Sequence, residues 1–204
     1  MNQAEEIQQI VSRYGKTYVV LSFGSADGGA MFGQWLRREI MKQKGYTQPN
    51  NVYLDTFGLD NIPGTRHEMK LIRPTAGGLA SLNEAWDEYY RYAVSTAHTM
   101  IFVATAAWYN SSYCRRELED HFFEENQNRS QKVEHPLSGV VLTFPDSRKY
   151  CKYYDFERVG MTVIPTTKRY VVADEKKRLT LTGHYRDFWI VDQETLQKVV
   201  QAIN

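Results

Sequence analysis

The chain has 204 residues, a formal net charge of +1, 42% hydrophobic and 24% charged residues, and two cysteines. Those proportions fit one soluble globular domain with a sizeable core, and the near-neutral balance argues against a nucleic-acid surface, which needs a strong basic excess. Cys114 and Cys151 make neither a disulfide framework nor a CxxC metal pair, the opening MNQAEEIQQI is acidic rather than leader-like, and no apolar run approaches a membrane span, so a reducing, cytoplasmic setting is expected.

TYVVLSF (17–23) is a β-branched, apolar run that breaks at GSADGG, the pattern of a buried parallel strand and its loop. Phe32, Trp35, Leu36 and Ile40 then recur on one stripe, which predicts an amphipathic helix ended by Gly45. NVYLDTF (51–57) reads as a second strand finishing near Asp55. Residues 58–80 hold two prolines and four glycines, and a connection of that length inside a domain is more often functional than idle. Leu82, Trp86, Tyr89 and Ala93 predict a helix, HTMIFVAT (98–105) a third strand, SGVVLTF (138–144) a fourth and MTVIP (161–165) a fifth. Residues 168–189 place two β-rich runs around a charged turn, which predicts an appended hairpin. Leu196, Val199, Val200 and Ile203 follow helical spacing again.

Strands alternating with helices predict an α/β fold: a mostly parallel five-stranded sheet with helices on both faces. A single domain over 1–204 is expected, with its core in about 17–165 and a C-terminal elaboration over 166–204. Ligands in such sheets sit outside the carboxyl ends of the strands. Those ends bring Ser22, Phe23, Ser25, Asp27, Asp55, Trp108 and Ser111 toward one rim.

A third helix begins from that rim, in SSYCRRELEDHFFEEN (111–126). Ser111 or Ser112 is its cap. Cys114, Leu118 and Phe122 make the inward stripe, with Cys114 as a small buried hydrophobe. Glu117 falls off the centre of that stripe. It faces toward the rim; helical spacing alone favours a surface carboxylate stabilised by the helix dipole but does not settle the matter. The basic pairs Arg37-Arg38 and Arg115-Arg116 and the run 175–178 read as solvated faces, and His67, His98 and His121 are too scattered for a metal set.

Three stretches, taken in order, resemble Toll/interleukin-1 receptor (TIR) domains over about residues 17–144. YVVLSFGSAD resembles their first box. VYLDTF with the Pro/Gly-containing loop after it resembles their second strand and the following loop. TAAWYNSSYCRREL resembles their helix-entry motif, with Thr105, Trp108, Ser111, Cys114, Glu117 and Leu118 at matching positions and Tyr113 where Trp is usual. The loop over 58–80 and everything after residue 145 depart from the family pattern.

The resemblance implies a flavodoxin-like three-layer sandwich and cleavage of NAD+ at the nicotinamide–ribose bond. Glu117 stands in the catalytic position. Phe23, Gly24, Ser25, Asp27, Asp55, Trp108, Ser111 and Tyr113 stand where substrate is held, with Phe23 and Trp108 as apolar walls. NAD+ enters as substrate, and no cofactor, metal, nucleic acid or membrane is called for. Family members commonly assemble through the loop after the second strand, which implies a homo-oligomer built on 58–80. A freestanding member of prokaryotic type further implies antiviral signalling through a nucleotide product read by a separate effector. Two rivals stand beside this reading: a TIR scaffold without turnover, and a nucleoside deoxyribosyltransferase, which also applies a Glu to an N-glycosidic bond on a related sheet.

Overall fold

β-Branched and apolar runs become five strands: β1 (Val19–Phe23), β2 (Val52–Leu54), β3 (Thr99–Ala104), β4 (Ser138–Thr143) and β5 (Thr162–Pro165). In the computed structural model the described residues are 15–24, 29–54, 90–145, 147, 149–150, 154–166, 170–172 and 188–204. All neighbouring strands pair in parallel, in the order β2-β1-β3-β4-β5. This is the doubly wound flavodoxin-like order, whose topological switch point lies between β1 and β3.

The strands read as unbroken apolar runs because both faces are covered. Successive side chains alternate between the faces, and two separate cores follow that parity. Val20, Tyr53, Met100, Phe102 and Val141 face one layer, which contains Tyr90, Ala93 and Val94 of α2 (90–96) together with Trp108, Leu118 and Phe122. Val19, Leu21, Val52, Leu54, Ile101, Val103, Val140 and Leu142 face the other. There Phe32, Leu36 and Ile40 of α1 (Gly29–Lys44) pack beside Leu196 and Val199 of α6 (Gln193–Gln201). Ser22 carries the parity of Val20, so its hydroxyl points into the first layer.

α1 ends as expected. Gly45 takes φ +68, and the Tyr46 N–H closes onto the Met41 carbonyl at 2.9 Å, satisfying a terminal acceptor. The appended hairpin is present as well: β6 (Tyr170–Val172) pairs antiparallel with β7 (Phe188–Ile190). The expected helical positions Leu82, Trp86 and Tyr89 lie outside the described residues. Among the described residues no helix is long and apolar enough to cross a membrane.

Between β3 and β4 the chain runs through α3 (Ala106–Asn110), α4 (Ser112–Arg116), a π-helical segment (Glu117–Phe123) and α5 (Glu124–Gln131). A π segment is rare, and such segments cluster at functional sites because the extra residue re-phases the side chains that follow. This one begins at Glu117.

Candidate active site at the carboxyl rim of the sheet

Thr105 follows β3 and caps α3, its Oγ1 accepting from the Trp108 N–H at 3.2 Å. The cap fixes the turn that sends Trp108 back over the sheet, where it is wholly enclosed among Phe102, Tyr109, Tyr154 and Phe156. Ser111 then caps α4, its Oγ accepting from the Cys114 N–H at 3.3 Å. With those two caps the chain enters the π segment, and Glu117, Leu118, His121 and Phe122 all turn inward.

Glu117 is 6% exposed. That corrects the reading of it as a surface carboxylate: three residues after Cys114 and one before Leu118, it borders the buried stripe, and the β1 edge at Ser22 covers that border. Its Oε2 accepts a hydrogen bond from the Ser22 hydroxyl, 95 residues earlier in the chain. Ser22 Oγ in turn accepts from Trp108 Nε1 at 2.8 Å. An indole, a hydroxyl and a carboxylate therefore form a buried chain linking β1, the turn after β3 and the helix beyond it, at the β1/β3 switch point where doubly wound sheets bind ligands.

Cys114 lies 3% exposed, the small buried hydrophobe expected. Burial pushes its thiol up to about 12, and the nearby Glu117 charge pushes the same way against the opposing pull of the Ser111 hydrogen bond. A thiolate is thus disfavoured, as for a structural buried cysteine. The outer face of the helix is solvated and ion-paired, with Arg116 and Asp120 3.5 Å apart and Tyr154 donating to Glu119 at 3.0 Å. Among the described residues no three His, Cys, Asp or Glu side chains gather as a metal set.

Of the residues expected at the substrate site, the structure brings Glu117 and Trp108 together through Ser22. Phe23 follows on β1, half-buried and opposite Val103. Gly24 lies against the first turn of α3, where an added Cβ would stand 2.6 Å from the Ala107 carbonyl carbon and the Trp108 nitrogen. Its lack of a side chain is therefore a packing need of this rim. Ser111 is engaged as a cap, and Tyr113, on the first turn of α4, is 49% exposed. Ser25, Asp27 and Asp55 lie outside the described residues, as does 58–80.

Ser22 was recognisable only as a rim residue. Its signal is a lone hydroxyl in a strand whose preceding residues are Val19, Val20 and Leu21. A buried hydroxyl is costly unless it is hydrogen-bonded, so it marks a specific partner. Compared with protein-family models and with curated proteins, the chain matches none of either.

Proposed function

We propose that this chain cleaves NAD+ at the nicotinamide–ribose bond, with Glu117 as the catalytic carboxylate of a TIR-type active site. The observation that carries the reading is a carboxylate only 6% exposed at the sheet's switch point, tied through one oxygen to a buried Ser22–Trp108 pair. Side-chain carboxylates are seldom buried without a reason, and a rim carboxylate suits stabilisation of a cation.

The chemistry needs little more. The C1′–N electron pair leaves with the pyridinium nitrogen, so nicotinamide departs neutral and no acid has to protonate it. Positive charge develops on the ribose, where a carboxylate in a water-poor site stabilises it more strongly than one in bulk water. Water then adds at C1′ and loses a proton, giving ADP-ribose and nicotinamide. Attack by an adenine nitrogen instead gives a cyclic product. Ordinary glycosidases require a second carboxyl group because their leaving oxygen must be protonated; here one is enough.

Assembly through 58–80, and a product read by a separate effector in antiviral signalling, extend the same reading. They predict a rate per subunit that rises with protein concentration.

The test is incubation of the purified protein with NAD+ across a range of protein concentrations, with products separated and weighed by mass spectrometry. Release of nicotinamide supports the proposal. Turnover of deoxynucleosides without nicotinamide release would replace it with the deoxyribosyltransferase reading, and turnover of neither, at every concentration, would favour the scaffold.

A further inference from the structure

We propose that Trp108 and Ser22 form a one-directional hydrogen-bond relay that holds Glu117 in its reactive position, which makes Ser22 a positioning residue for the bond cleavage. The inference rests on the proposed NAD+ reaction and adds to it a residue outside the expected substrate set.

The direction of the relay follows from what each group can do. An indole N–H donates and never accepts, whereas a hydroxyl carries one proton and two lone pairs. Trp108 Nε1 stands 2.8 Å from Ser22 Oγ, so the serine oxygen is the acceptor there. Its single proton goes to Oε2 of the ionised Glu117, which can only accept. Both hydrogen bonds point toward the carboxylate, an order that favours its charged form over its acid form.

Ser22 and Trp108 are both 0% exposed, so water does not compete for either bond. The scaffold beneath them is fixed at each end. Ser22 sits on β1 opposite Phe102 of β3, one residue past the Leu21–Leu54 pair with β2. Trp108 is pinned by the Thr105 cap. Ser22 holds Oε2 in that arrangement.

Two further side chains of the same helix lie near Glu117. Cys114 carries a thiol held neutral by burial and by the Glu117 charge. His121, a turn further on, packs against the Tyr90 ring of α2, with centroids 5.0 Å apart. β1 and α3 contribute Ser22 and Trp108, neither of which titrates. A serine that merely satisfied a buried indole would affect stability alone, whereas a relay also controls the protonation and aim of Glu117.

The experiment compares wild type, Ser22→Ala and Trp108→Phe. Two readouts are taken: the Glu117 carboxyl titration by carbon NMR on glutamate-labelled protein, and the pH profile of nicotinamide release. Loss of one donor to a charged acceptor is expected to raise the Ser22→Ala titration midpoint by about one pH unit. The acidic limb of the rate profile should move with it, and kcat should fall roughly tenfold with KM within twofold. Trp108→Phe keeps the serine proton and should move both readouts in the same direction by less. If Ser22→Ala proves unstable, Trp108→Phe alone decides through the titration.

Titration midpoints that coincide in all three proteins would overturn the relay, whatever their rates. A midpoint that moves in a protein releasing no nicotinamide would uphold the wiring and refute only the reaction on which its catalytic role rests.

Discussion

Arg129 offers the sharpest test of how the layer behind the site is held. It lies on α5, 7% exposed, and its guanidinium reaches back to the end of α2. Nη2 stands 3.1, 3.0 and 2.9 Å from the carbonyls of Val94, Ser95 and Ala97. These include acceptors that the helix leaves unsatisfied as it ends. Nη2 has two hydrogens, so the three carbonyls share about two charge-assisted bonds, and Nε pairs with Glu125 at 2.6 Å. Arg129→Met removes the guanidinium and leaves buried carbonyls and a carboxylate 17% exposed without it. Charge-assisted bonds contribute about 1.5–3 kcal/mol each, and breaking a buried pair from one side costs about 3–5 kcal/mol. The expected loss is about 3–5 kcal/mol, read as a lower urea midpoint with an unchanged slope. Arg129→Lys should recover less than half of it, because an ammonium cannot span Glu125 and the α2 carbonyls with a planar fork. A loss below about 1 kcal/mol for Arg129→Met would refute the clasp.

Val133 follows α5 with φ +58, the left-handed conformation that a β-branched residue rarely adopts, and it is 94% exposed. Its neighbours close the helix end, the Val133 N–H on the Ser130 carbonyl and the Glu134 N–H on that of Arg129. Val133→Gly relieves about 1–2 kcal/mol of strain against about 0.5–1 kcal/mol of extra chain entropy, so thermal unfolding should rise by a degree or several. Asp192 caps α6, its carboxylate held below the ordinary value of 3.8 first by the Thr195 N–H. A carboxyl depressed by folding contributes stability above its unfolded value and loses it as pH falls through the folded one. Asp192→Ala should therefore cost about 1 kcal/mol at pH 7, and the gap should narrow below about pH 4 in pH-stepped urea melts. With its thiol pushed up to about 12, Cys114 should resist iodoacetamide in the native protein at pH 8 and react on unfolding, as followed by peptide mass spectrometry.

The strands and the outer helices were legible because burial on both faces leaves continuous apolar runs, and because stripes such as Phe32–Leu36–Ile40 keep the 3.6 period. The hairpin was legible from two β-rich runs around a charged turn, now seen as β6 paired with β7. The inward stripe of Cys114, Leu118 and Phe122 also stands. Glu117 was misplaced by the same reasoning, since a helical period puts it at the border of the stripe and cannot say what covers that border. Its partner was harder still to see. Ser22 lies 95 residues away, and no local pattern joins a strand hydroxyl to a distant carboxylate. Strand parity puts Ser22 on the correct face, but only the fold brings Trp108 and Glu117 to that face as well. Trp108 was legible as an aromatic at the rim. That its N–H, rather than an open ring face, engages the site depends on the Thr105 cap that turns it inward.

Nicotinamide release from NAD+ by wild type beside Glu117→Gln, at matched high protein concentration and with matched folding by circular dichroism, tests the central claim most directly. The substitution keeps the shape of the side chain and removes its charge. The account predicts release by wild type and a loss of about a hundredfold or more in the variant. Equal release from the two proteins would show that Glu117 is only an inward-turned residue at the start of a π segment.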